Sequence, residues 1–232
     1  MNQSTEPPLD DVPLAIAQSR LWKRVSSNVE YSHVLLEIRK VAGIVASKVS
    51  STLPEYTDHS IKHMDYLWRL AGQILKNSEI DILSEGEAFL LGASFYVHDL
   101  GMALAVTNEG LENIESTPEY RAAFTRFKTL HPLDELSIAR LAMKEAVREL
   151  HAKRALELAT VRLPGLDRFL IEESEFRDKW AHMLGQIAES HHWSLEQVER
   201  SLGARKAVPS PDGETLDLGY ISCLLRVIDF AH

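Results

Sequence analysis

Apolar residues recur at helical spacing along nearly the whole chain. Val34, Leu35, Ile38, Val41 and Ile44 mark one face early on, and the pattern predicts one or two helices over roughly 12–50. The polar stretch before it, with Pro7 and Pro8, reads as disordered over 1–10. Pro54 through Asp58 punctuates, and a helix is expected from about Ser60 to Lys76. Ser84 with Glu87 three residues later has the form of a capping box. The helix it opens should run to about Asp99 and stop before Gly101, a residue type favoured just past a helix end. Residues 102–130 are mixed. Pro132 predicts the start of a long helix from Leu133 to about Val161, which Pro164-Gly165 breaks. A further helix is expected over about 175–192, and Ser194 caps a shorter one to Leu202. Ala204 to Leu216 is rich in Pro, Gly and Asp and reads as a loop. The last helix begins near Leu216 and is apolar at nearly every position from Tyr220 to Ala231. No alternating strand pattern persists, so the expected fold class is all-α, a helical bundle.

Composition adds little to that picture, but charge and cysteine narrow it. A hydrophobic fraction of 45% in 232 residues is enough for a substantial core. We expect residues 1–29 to form an N-terminal segment, partly disordered then helical, and 30–232 to form one domain. The net charge of -9 disfavours a bulk electrostatic grip on duplex DNA, while a local basic patch stays open. Cys223 is the single cysteine, which excludes an internal disulfide, and its apolar helix predicts a buried thiol. No apolar run approaches the roughly 18 residues of a membrane span, and the N-terminus lacks a signal-peptide core. No membrane partner and a cytoplasmic location are therefore expected. The last helix stops at His232 in an apolar context, without cap or polar tail, which leads us to expect the N-terminal part of a longer protein.

The candidate chemistry begins with His98-Asp99, at the end of the apolar run Phe89 to Val97. Burying two ionisable side chains there is costly unless something pairs with them. A divalent metal accepts an imidazole nitrogen and a carboxylate oxygen together. Other helices place similar groups on their apolar sides. His63 continues into Leu67, Leu70 and Ile74, the inward stripe of its helix; a core histidine with a satisfied hydrogen bond is the alternative. His151 shares a face with Val147, Ala155 and Leu158, where packing at a helix interface is the alternative. His191 follows Leu184, Ile187 and Ala188, with His192 beside it; an exposed pair interacting with the helix dipole is the alternative. Asp229 shares a face with Leu225 and Ser222, and an ion pair with Arg226 is the alternative. Five helices each presenting a histidine or aspartate to the interior point to a shared metal centre. One or two divalent ions are expected, with Mn, Fe, Ni, Co, Zn and Mg not distinguished.

The order His63, His98-Asp99, Asp229 resembles the HD-domain superfamily of metal-dependent phosphohydrolases. The 35 positions between His63 and His98 suit two consecutive helices of that fold. Tyr56-Thr-Asp-His-Ser-Ile-Lys-His63 is similar to the His-x-x-x-His element of cyclic-nucleotide phosphodiesterases. That likeness implies a metal ligand at His63 and a general acid at His59. His151, His191 and His192 resemble the histidines that give binuclear HD proteins, including the HD-GYP type, their second metal. Here Trp193-Ser194 follows the His-His pair instead of Gly-Tyr-Pro, so cyclic di-GMP is not supported as substrate. A nearer likeness is to the HD group that precedes a GHKL-type ATPase in longer bacterial proteins. It rests on Leu53-Pro-Glu-Tyr-Thr-Asp-His59, His63 through Trp68, Glu87 through Gly92, His98 through Ala103 and Leu225 through His232. It covers roughly residues 30–232 and implies a covalently linked C-terminal ATPase.

The activity implied is hydrolysis of a phosphoester of a nucleotide or related substrate by metal-activated water. Asp99 and Asp229 would neutralise part of the metal charge, Asp99 serving in catalysis as well as ligation, and His59 would protonate the departing oxygen. Arg148 and Arg154, which flank His151, either line the cleft or sit on the outer face. Lys62 reads as a solvated lysine. His232 either reaches the site or supports it, and His33, His131 and His182 carry no signal. Two alternatives remain: a nuclease on single-stranded nucleic acid, or a non-catalytic module that binds metal and ligand to regulate an attached ATP-binding domain. The acidic charge leans toward a small nucleotide.

Overall fold

Side-chain caps fix several helix starts in the computed structural model, which describes residues 12–52, 60–130, 132–203, 208–209 and 211–232. The expectations for residues 1–10, Pro54–Asp58, His59 and His131 lie outside the described residues. The N-terminal region forms three helices, α1 (Leu14–Ala17), α2 (Arg20–Val25) and α3 (Val29–Thr52), where one or two were expected. Ser19, accepting from the Trp22 backbone N–H, starts α2 and so divides the stretch. α4 (Ile61–Ile74) begins at Ser60, and a short α5 (Asn77–Asp81) follows. Ser84 and Glu87 form the predicted capping box of α6 (Glu85–Val97). A 3-10 segment (Leu100–Val106) leads to α7 (Asn108–Glu115) and α8 (Pro118–Leu130), which resolve the mixed stretch.

The long helix α9 spans Glu135–Leu158, two residues later at its start than Pro132 suggested. Asp134 accepts from the Ser137 N–H and its hydroxyl, and this cap overrides the proline signal. α10 (Ser174–Ser190) and α11 (Leu195–Leu202) follow. The expected loop before the last helix holds a two-residue antiparallel ladder, β1 (Val208–Pro209) with β2 (Thr215–Leu216). Two residues per strand are too few to show an alternating pattern. Gly213, at φ 87°, takes the left-handed turn position between them, and Tyr31 donates to Asp212 from the core side. α12 (Leu218–Phe230) starts at Asp217, whose carboxylate accepts from the Tyr220 N–H. The fold class is all-α, as expected.

α6 is the axis of the bundle. Its residues Gly86 through Val97 are buried, and α2, α3, α4, α10 and α12 surround it. This all-round burial explains why it is apolar at nearly every position. No single helix among the described residues is long and apolar enough to cross a membrane. Val12, Ile16, Leu21, Trp22 and Val25 join the same core, so the N-terminal helices cover the bundle rather than stand apart. Cys223 is half-buried rather than fully buried. On α12, Val227 and Phe230 face solvent.

Three contacts set the spacing around the axis. A Cβ at Gly92 would lie 2.5 Å from a Trp68 ring carbon, so glycine lets α4 approach α6. A Cβ at Gly101 would lie 1.7 Å from the His151 carbonyl oxygen. Gly101 has no positive φ. It is needed for this close approach and not, as expected, for a left-handed helix end. The third contact is Glu87, buried at the start of α6. It accepts from its own Ser84 N–H and, 2.8 Å away, from the Asp217 N–H at the start of α12. One carboxylate thus ties two helix N-termini, where its charge is favoured.

Three substitutions should separate these effects. Gly101→Ala should destabilise by about 3 kcal/mol or more, because backbone and not a side chain blocks the new methyl. Glu87→Ala should lose roughly 1–3 kcal/mol. Gly72→Ala, with nothing within 4 Å of the added carbon, should gain about 0.5–1 kcal/mol. Denaturant midpoints compare all three with the parent; a Gly101→Ala protein as stable as the parent would show that α9 does not depend on this contact.

Candidate metal centre

Six helices deliver the candidate side chains to one place. His63 lies in the first turn of α4, and His98 caps the end of α6. Asp99 follows where the chain enters the 3-10 segment. His151 belongs to α9, His191 caps α10 with His192 next to it, and Asp229 stands in the last turn of α12. His63, His98, Asp99 and His151 are buried, whereas Asp229 is partly open and His192 is exposed. Ser94, one turn before His98, and the contact at Gly101 place Asp99 against α9.

Asp99 sits at the middle of the arrangement. Its Oδ2 lies 3.2 Å from His98 Nε2 and 3.8 Å from His63 Nε2. Its Oδ1 lies 3.3 Å from His151 Nε2 and 3.8 Å from His191 Nε2. Asp229 Oδ1 approaches His98 Nε2 at 3.4 Å. Two sets of three donors are each close enough to share an ion: His63, His98 and Asp99, and His151, His191 and His192. The donor atoms within each set lie within 4.8 Å of one another. The two oxygens of Asp99 face one set each.

The outer ring nitrogens explain why this cluster wants a cation. His98 Nδ1 meets the Ser94 carbonyl at 3.3 Å, His151 Nδ1 the Arg148 carbonyl at 2.7 Å, and His191 Nδ1 the Ala188 carbonyl at 2.5 Å. A carbonyl only accepts, so each contact assigns a proton to Nδ1 and leaves Nε2 available inside when the ring is neutral. His151 Nε2 and His191 Nε2 are 3.1 Å apart, and Asp99 Oδ1 faces both. His98 Nε2 is buried without a well-aligned hydrogen bond. Lone pairs turned toward lone pairs repel unless a proton or a metal lies between them. Mixed imidazole and carboxylate donors suit a divalent ion, and the donor set does not select which. His63 differs from the other three: its Nδ1 meets the His232 ring at 3.2 Å, and that ring also packs edge-on to Tyr66. His232 therefore supports His63, one of the two roles expected for it.

The local electrostatics follow the same logic. Burial opposes a charged His98, but Asp99 and Asp229 outweigh it and raise its pKa to about 10. Burial, with the positive charge at His98, lowers His191 to about 3. Partial burial lowers His192 too, helped by His151 and Arg148. Asp229 is held below the usual carboxylate range: burial pushes it up, and the close approach and charge of His98 more than reverse this. Without metal, His98 stays an imidazolium opposite Asp99 and Asp229.

The remaining sequence candidates divide clearly. His59 lies outside the described residues. Lys62 is exposed, as read, and Arg154 pairs with Glu157 at 2.6 Å on the outer face. Arg148 lines a groove that His192 also borders. Arg226 donates to the Trp193 carbonyl, so the Arg226–Asp229 ion pair is not formed and Asp229 stays with His98. Sequence reading missed the support behind α4. Arg39 holds Asp65 with two hydrogen bonds, 2.9 and 2.7 Å, and Tyr96 donates to the same carboxylate at 3.1 Å. This half-buried network joins α3, α4 and α6. Its sequence signal is only one charged residue beside the apolar stripe of α3 and one beside that of α4.

An all-α bundle with a histidine and aspartate cluster at its centre is the architecture of an HD-type domain. The family model HD-CE matches residues 53–232. The chain belongs to the HD-CE family. No curated protein and no solved structure matches it.

Two measurements follow. Elemental analysis of purified protein should find a divalent metal in wild type and little in Asp99→Ala, the substitution that touches both sets of donors. Equal metal in both would disprove the site. Loading must also displace the His98 proton. Its folded pKa, about 10, is above the ordinary imidazole value of 6.5, so its stabilisation of the metal-free protein is full below 6.5 and lost as pH rises through 10. Metal affinity should accordingly rise by up to about tenfold per pH unit between roughly pH 7 and 9, and the gain in melting temperature on metal addition should widen. A pH-independent affinity would contradict the assignment.

Proposed function

We propose that this HD-type domain is a metal-dependent phosphohydrolase acting on a nucleotide or related phosphoester. The observation that carries the reading is Asp99, whose two oxygens each face a separate set of metal-competent donors. The proposed ligands are His63, His98, Asp99 and Asp229 for one ion and His151, His191 and His192 for a second. A bound divalent ion supplies polarisation of a phosphate oxygen and a water of lowered pKa. Asp99 and Asp229 offset the positive charge, and the carbonyl-anchored imidazoles hold their geometry without rearrangement. His59 is the proposed general acid. A water gives up one proton to solvent as its oxygen forms the new bond to phosphorus, the ester P–O bond breaks, and the leaving oxygen takes its proton from His59. A C-terminal GHKL-type ATPase and 30–232 as the domain limits belong to the same proposal and rest on the family resemblance, while a cytoplasmic setting rests on the sequence pattern alone.

The test is a screen of nucleotides, cyclic nucleotides and single-stranded DNA with Mn, Co, Ni and Mg. Asp99→Ala should lose roughly a thousandfold or more in kcat. His59→Asn should lose about 10²–10⁴-fold on alkyl leaving groups and much less on a nitrophenyl ester, whose leaving group needs no proton. Metal-loaded wild type that hydrolyses nothing would transfer the domain to the non-catalytic, ligand-sensing class.

A further inference from the structure

A groove of about 590 Å³ runs beside the second set of donors, within the roughly 300–1,000 Å³ of small-ligand sites. Half-buried Phe127 from α8 and Leu141 from α9 give it an apolar wall, and Lys144, Arg148 and His192 lie further along. On α9 these positions succeed one another by single turns: Leu141, Lys144, Arg148, then His151 in the centre itself. At about 1.5 Å per residue that is roughly 15 Å, long enough for a base, a sugar and a phosphate in line.

Charge is arranged along the same direction. Glu145 borders the groove but is held by Arg126. Lys144, Arg148 and Glu149 are the other charged side chains of the lining. The Arg148 guanidinium forms no ion pair among the described residues, and its backbone carbonyl anchors His151. An arginine this close to a phosphate-competent centre has the planar donors that suit phosphate.

We propose that this groove is the nucleoside subsite of the centre: Arg148 and Lys144 hold the phosphate at the His192 end, and the base lies against Phe127 and Leu141. This rests on the phosphohydrolase reading and narrows its substrate to small nucleotides. The aromatic ring serves by stacking, which tolerates any base.

Calorimetry with the Mn-loaded full chain tests it, using AMP, GMP and ribose 5-phosphate as probes. Wild type should bind a nucleotide at least about tenfold tighter than ribose 5-phosphate. Phe127→Leu, which keeps apolar volume, should weaken the nucleotide about tenfold and leave ribose 5-phosphate unchanged. Arg148→Gln should weaken both by about tenfold. Manganese content and melting temperature should stay at wild-type values in both variants. Nucleotide binding unchanged in both variants, equal affinity for ribose 5-phosphate, or no nucleotide binding by wild type each overturns the subsite. Hydrolysis of base-free esters would then leave the phosphohydrolase reading standing. Nucleotide binding that follows the expected pattern without hydrolysis of any ester would remove that reading and keep the subsite.

Discussion

The structure is organised around one buried carboxylate. Asp99 is almost removed from water and is faced by four imidazoles within 3.8 Å. A carboxylate so placed is tolerable only if positive charge reaches it, as a proton on His98 or as a metal. Four helices supply those imidazoles, so their packing and the local electrostatics are one problem. A bundle that shifted α4, α9 or α10 would leave the carboxylate without its partners.

Backbone geometry makes this convergence possible. At Gly101 the 3-10 segment comes so close to α9 that no side chain fits, and at Gly92 the ring of Trp68 occupies the space a methyl would take. The imidazoles are oriented in turn by carbonyls three or four residues earlier in the chain, at Ser94, Arg148 and Ala188. A rigid helix therefore sets each ring. His63 lacks such an anchor and relies on His232, which ties the end of α12 to the start of α4. Behind α4, the Arg39–Asp65–Tyr96 network fixes its place against α3 and α6.

The electrostatic result is a small region that prefers cations inside an acidic protein. The two carboxylates keep His98 protonated in the metal-free state, while burial keeps His191 neutral. The exposed side of this region, at His192, opens onto a groove that Arg148 and Lys144 line.

Much of this is legible in the order of residues along the chain. Helical periodicity gave the all-α class, and the Ser84–Glu87 and Ser194 caps lie where their local chemistry put them. His63, His98, Asp99, His151 and Asp229 stood out because polar groups on apolar faces need partners. Other local signals misled where a stronger local one competed, as Asp134 did with Pro132, or where the element was too short for a pattern, as in β1 and β2. Gly101 was read as a helix terminator, and only the neighbouring helix shows that it is a point of contact. Which residues turn inward is written in the chain, because periodicity is a local property of a helix. Which of them meet, that Asp99 stands between two sets of donors and that Arg226 leaves Asp229 to His98, comes from packing, because it depends on distances between helices far apart in the chain.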